Sequence, residues 1–112
     1  MGMKTKMWGP AMWVTLHVIA ANYPNNPTQE QKNNYKAFFI SLGNILPCGY
    51  CRESYKFFSK LIPIDNYLVN SHYMQYWVYL IHNLVNQKLG VPQNSWPPFR
   101  EVIAKYQKYQ AR

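Results

Sequence analysis

Cys48 and Cys51 are the only cysteines of this 112-residue chain, and they stand two residues apart in Pro47-Cys48-Gly49-Tyr50-Cys51. Thiols at that spacing close a small disulfide ring without unfolding the backbone around it. They also precede a segment that reads as a helix, where the dipole favours the thiolate. Dithiol redox chemistry is therefore the favoured reading, with Arg52 as a nearby cation. A zinc site would need two more ligands, and His17, His72 and His82 lack the close spacing of the usual partner half. Inert core cysteines would more often be isolated among apolar neighbours than flanked by Gly49, Tyr50 and Arg52.

Such a pair needs an electron acceptor, and the surrounding elements narrow the choice. A thioredoxin-like carrier sets its dithiol between strands in a βαβ pattern, but the chain offers no convincing strand pair. Five helices are predicted instead. The first begins at Gly9-Pro10, with proline at its favoured first position, and runs through Trp13, Leu16, His17 and Ala20 toward Tyr23-Pro24. Thr28 and Gln31 make a capping box for the second, along which Tyr35, Phe38, Phe39, Leu42 and Ile45 repeat until Pro47. That helix delivers the chain to the cysteines.

The third helix runs from about Gly49 to Leu61, with Tyr55, Phe58 and Leu61 inward and Pro63 closing it. The fourth runs from about Ser71 to Leu89, with Trp77, Ile81, Leu84 and Val85 as its apolar face and Gly90 at its end. Ser95 starts a last helix, about residues 96–109, that carries Val102, Ile103 and Tyr106. The expectation is an all-α fold: a compact four-helix bundle with a short fifth C-terminal helix, as one domain over residues 1–112.

Aromatic residues make up 17% of the chain, including 10 tyrosines and 4 tryptophans, which suggests a bound planar ligand, a large partner interface, or simply an aromatic-rich core. An all-helical dithiol protein with surplus aromatics calls for a flavin, whose ring accepts two electrons from a thiolate and returns them to oxygen. Twelve Lys and Arg against four acids (Glu30, Glu53, Asp65 and Glu101) give a net charge of +8. That balance invites a nucleic-acid hypothesis, but the cations are scattered at helical surface spacings, and no specific nucleic acid is expected. No segment approaches the roughly 20 apolar residues of a membrane span. The start, Met1-Gly2-Met3-Lys4-Thr5-Lys6, lacks a signal peptide's apolar core, and no compartment can be read from it.

Four motifs in order carry a family resemblance. Trp8-Gly9-Pro10-Ala11-Met12-Trp13-Val14-Thr15-Leu16-His17, then Tyr23-Pro24 with Pro27-Thr28, then the cysteine motif, then Trp77 with His82-Asn83-Leu84-Val85-Asn86-Gln87-Lys88-Leu89-Gly90 resemble the Erv/ALR family of FAD-linked sulfhydryl oxidases. The match covers residues 8–92. The resemblance implies FAD held within the bundle, oxidation of substrate dithiols, and reduction of O2 to hydrogen peroxide. It implies that Cys51 lies against the flavin as a charge-transfer thiolate while Cys48 exchanges with substrate. It also assigns cofactor contacts to Gly9, Trp13, His17, Tyr23, Cys51, His82, Asn83, Asn86 and Lys88. Trp13 and His17 are one helical turn apart, as are His82 and Asn86, so each pair can project toward a common cavity. No metal is implied.

The chain departs from the family pattern in four places. Gly9-Pro10 stands where Gly-Arg is usual, leaving a phosphate-side cation to come from Lys4, Lys6 or Lys88, and Val91 replaces a lysine. The structural disulfide is absent, with Tyr79 near one of its positions, so packing around Trp96, Phe99 and Tyr106 would have to replace it. No shuttle cysteine pair exists, so protein dithiols must reach Cys48 directly, or a thioredoxin-like relay protein must serve it. The pattern most resembles versions encoded by large DNA viruses, which would place it in host cytoplasm or the virion. The family implies a homodimer through the first two helices, for which Val14, Val18, Phe39 and Leu42 are the apolar candidates. The alternative is a basic helical nucleic-acid or protein binding module with a structural Cys-x-x-Cys.

Overall fold

In the computed structural model, which describes residues 2–110, every helix start has an identifiable cause. The elements are α1 (Thr5–Ala21), α2 (Gln29–Ile45), α3 (Gly49–Leu61), α4 (Ser71–Lys88) and α5 (Phe99–Gln107). Short 3₁₀ turns cover Ile64–Tyr67 and Gln93–Ser95. No strand occurs among the described residues. The capping box of α2 forms as expected: the Thr28 hydroxyl accepts from the Gln31 N–H at 3.1 Å, and the Gln31 side chain accepts from the Thr28 N–H at 2.9 Å. Cys48 itself caps α3, its sulfur accepting the Cys51 N–H. Asn70 caps α4 through the Tyr73 N–H. That helix ends where Gly90 takes φ 75°, a conformation that disfavours a side chain.

Two boundaries differ from the sequence expectation. Helix α1 starts at Thr5 rather than Gly9-Pro10, so Pro10 lies inside it and leaves the Lys6 carbonyl without its usual donor. The extra turn is anchored from outside: Met3 N–H donates to the Pro47 carbonyl at 2.7 Å, and the Trp8 indole donates to the Met3 carbonyl at 3.1 Å. Helix α5 starts at Phe99, because Pro98 holds Pro97 away from helical geometry, and Ser95 instead closes a turn onto the Pro92 carbonyl.

Helix α1 runs along α4 and α2 along α3, with α5 packed across α1 and α4. Trp77 sits at the centre, 2% exposed, edge-on to Phe39 (5.5 Å) and Tyr55 (6.4 Å). Its indole donates to the Ile62 carbonyl at 2.7 Å, and the Tyr55 hydroxyl donates to the Phe39 carbonyl at 2.6 Å, so the aromatic centre leaves neither polar group unpaired. Phe39 and Leu42 are fully committed to this core, which corrects their assignment to a dimer face. Ile45 and Leu61, expected inward, are 65% and 58% exposed. Each was reached by successive three-residue steps, and every such step falls about 60° short of a full turn. The drift carries Ile45 and Leu61 off the buried stripe, while Leu46, four beyond Leu42, stays on it.

The C-terminal helix is held by aromatics. Phe99 packs against Tyr76, Tyr79 and His72 at 4.9, 5.2 and 5.3 Å, and the Tyr79 hydroxyl donates to the Pro97 carbonyl at 3.0 Å. Trp96 instead fixes the preceding turn through the Val91 carbonyl, and Tyr106 turns inward.

Candidate active site

A cavity of about 610 Å³ opens between α1, α3, α4 and α5. Of the residues expected to contact a cofactor, Gly9, Trp13, Cys51, His82, Asn86 and Lys88 line it. Helical spacing explains the convergence: Trp13 reaches it from α1, and His82, Asn86 and Lys88 from the last turns of α4. Trp13 and His82 stack, 3.9 Å between centroids and 5° between planes. His17 stands behind them, its Nε2 3.0 Å from His82 Nδ1 and its ring stacked on Tyr106 at 5.2 Å.

Both histidines are pushed down to about 4: His17 chiefly by burial, then by His82 and Lys105, and His82 by burial. Both are neutral at pH 7, so one ring donates to the other's bare nitrogen. Asn83 is set back from the wall and accepts from the Asn86 side chain at 3.4 Å. Tyr23 is outside the wall as well: 2% exposed, it donates to the Leu68 carbonyl at 2.8 Å and meets Tyr35 edge-on.

The structure adds lining residues that motif reading missed. Ser54 and Tyr55 lie three and four residues beyond Cys51 and so share its helix face, a signal that spacing alone carried. Lys105 and Tyr106 line the wall because α5 crosses the bundle, and Lys6, one of the lysines expected on the phosphate side, because α1 begins early. No local motif marks Lys105 or Tyr106. Three lysines, Lys6, Lys88 and Lys105, thus line a cavity whose remaining wall is largely apolar.

The two sulfurs face different spaces. Cys51 lines the cavity, while Cys48 lines a separate open groove with Gly2, Met3, Lys4, Gly49, Tyr50 and Glu53. Both thiols are free, and the Cys51 N–H reaches the Cys48 sulfur at 3.3 Å. Their acidities separate accordingly. Cys48 is lowered by the Cys51 thiol donating to it, then by the backbone N–H groups of Cys51 and Tyr50 and by the Lys88 charge. Cys51 is raised to about 11 by burial, then by its hydrogen bond and charge interaction with Cys48. The cation serving the pair is Lys88 and not Arg52, whose guanidinium donates to the Leu46 carbonyl at 2.6 Å.

An all-helical fold with a split dithiol at the mouth of a cofactor-sized cavity defines a class of dithiol oxidoreductase, and comparison with known proteins gives the family. The Erv1/Alr family profile matches residues 10–107, and the chain belongs to that family. A probable FAD-linked sulfhydryl oxidase of Acanthamoeba polyphaga mimivirus is 36% identical over 104 residues, covering 92% of this chain and 73% of the relative. An FAD-linked sulfhydryl oxidase of African swine fever virus is 33% identical, covering 85% and 78%. The rice ERV1 oxidase is 32% identical, but this chain spans 42% of its length. The crystal structure of the FAD binding domain of Erv1 from Saccharomyces cerevisiae superposes with a TM-score of 0.86 at 25% identity, covering 97% of this chain and 99% of that one.

The lining suits FAD. The cavity falls within the ~300–1,000 Å³ of small-molecule and cofactor sites. Trp13, His82 and Tyr106 offer ring faces, Asn86 an amide, Met12, Leu16 and Val85 apolar wall, and the lysines partners for a diphosphate.

Proposed function

We propose that this protein is an FAD-dependent thiol oxidase that makes disulfides in client proteins, working as a single domain. The separation of Cys48 and Cys51 onto two different spaces carries the reading. Bound FAD supplies the acceptor that takes two electrons from the cysteine pair and passes them to O2, giving hydrogen peroxide. Trp13 and His82 hold its planar part, Asn86 hydrogen-bonds it, and Lys6, Lys88 and Lys105 neutralise its phosphates. His17 fixes the orientation and tautomer of His82 rather than touching the cofactor.

In the oxidised enzyme a client thiolate attacks the Cys48 sulfur of the Cys48–Cys51 disulfide. A client–Cys48 disulfide forms, the Cys48–Cys51 bond breaks, and Cys51 leaves as thiolate. The client's second thiolate then attacks its own sulfur in that mixed disulfide, closing the client disulfide and releasing Cys48 as thiolate. The backbone N–H groups of Cys51 and Tyr50 and the Lys88 charge remain to favour Cys48 as the second leaving group. Clients reach Cys48 directly or through a thioredoxin-like relay protein. For assembly we propose a homodimer built on the exposed side of α1, where Val14 and Val18 are 47% and 49% exposed.

Purified protein should be yellow, and Cys51→Ser should keep the flavin while losing peroxide production from dithiothreitol. A colourless protein that takes up no added FAD removes the oxidase reading, and turnover by Cys51→Ser removes Cys51 from its role. The basic binding-module alternative predicts the opposite spectrum.

A further inference from the structure

Cys48 lies in a groove, one wall of which is made by residues 2–4. Gly2, Met3 and Lys4 line it from the segment entering α1, and Gly49, Tyr50 and Glu53 from the start of α3. The first wall is pinned. Met3 N–H pairs with the Pro47 carbonyl at 2.7 Å, and the Trp8 indole holds the Met3 carbonyl at 3.1 Å. Gly2 approaches so closely that a Cβ on it would stand 2.8 Å from the Pro47 oxygen and 3.0 Å from the Cys48 Cα. The two large hydrophobic side chains of the groove are left to solvent: Met3 is 62% exposed and Tyr50 79%. Lys4 and Glu53 carry opposite charges, so neither sign of client is favoured by the groove itself.

Resting on the oxidase reading, we propose that Met3 and Tyr50 form a clamp for an extended client segment with an apolar residue beside its reactive cysteine. The occupant follows from the reaction, since the attacking thiolate has to enter the space that Cys48 lines. Gly2 and Gly49 present bare backbone in the groove that Cys48 lines, which lets a client main chain come close. A flexible thioether and a rigid phenol in one groove suit many apolar side chains, as an enzyme with several clients requires. Both residues position the client and take no part in the exchange of bonds at Cys48.

The test compares two reduced two-cysteine peptides, one with Leu and one with Ser beside the attacking cysteine, against dithiothreitol, which has no flanking residue. The Leu peptide should show the higher kcat/KM by about fivefold, the scale of partly burying one apolar side chain. Met3→Ser should erase much of that preference while oxidising dithiothreitol at the parent rate. Equal rates for the two peptides, or a loss shared with dithiothreitol, would overturn the clamp. Wild-type protein that carries no flavin and oxidises none of the three would overturn the oxidase reading instead.

Discussion

The Trp13 indole lies flat on the His82 imidazole, 3.9 Å between centroids, joining α1 to α4 across the cavity wall. Their faces define a site for a planar ligand, so loss of the indole should be felt in cofactor retention before it is felt in folding. Trp13→Ala should weaken FAD binding about tenfold, the worth of one aromatic stacking partner. Fluorescence titration of the apoprotein measures it, and unchanged affinity would mean that the stack lies off the binding path.

Stability should depend on pH through the histidine pair. His17 and His82 titrate near 4 in the folded protein and ordinarily near 6.5, so between those values the unfolded chain binds more protons. Their contribution is therefore full above about pH 6.5, falls as the pH drops toward 4, and is gone below it. Thermal melts across that window should show the decline, and His17→Gln together with His82→Gln should flatten it.

The acidities of the two thiols predict an order of modification. In the reduced protein at neutral pH, iodoacetamide should label Cys48 well before Cys51, because Cys48 is the more acidic and Cys51 is raised to about 11. Peptide mass spectrometry reads the order directly. Lys88→Met should slow Cys48 labelling only modestly, since its charge is the smallest of the influences that favour the thiolate.

Docking of α5 should be separable into a polar and an apolar part. Tyr79→Phe removes the bond to the Pro97 carbonyl and should cost about 1 kcal/mol. Phe99→Ala empties a contact with three rings and should cost about 2–4 kcal/mol. It should also loosen FAD, since α5 brings Lys105 and Tyr106 to the cavity. Denaturant melts with and without FAD distinguish the two effects.

Much of this arrangement was legible in the sequence because its signals are local. The capping box at Thr28, the start of α3 at Gly49 and the stop at Gly90 each depend on a few adjacent residues, and all three hold. The family motifs likewise placed Trp13, Cys51, His82, Asn86 and Lys88 around one cavity. What escaped was set by contacts distant in sequence. The early start of α1 depends on Pro47, and the presence of Tyr106 at the cavity depends on where α5 crosses. Tyr23 shows the converse: its motif matched, but its hydroxyl is engaged by Leu68, 45 residues away.

In the proposed function both cysteines of this chain form the working pair, while the C-terminal helix is held by Phe99, Tyr76 and Tyr79 instead of a sulfur bridge. A surge of reductant that opens Cys48–Cys51 therefore leaves every tertiary tie in place. On that reading, loss of oxidising power and loss of structure become independent events, and the one crosslink that two cysteines allow is the one broken and remade in each cycle.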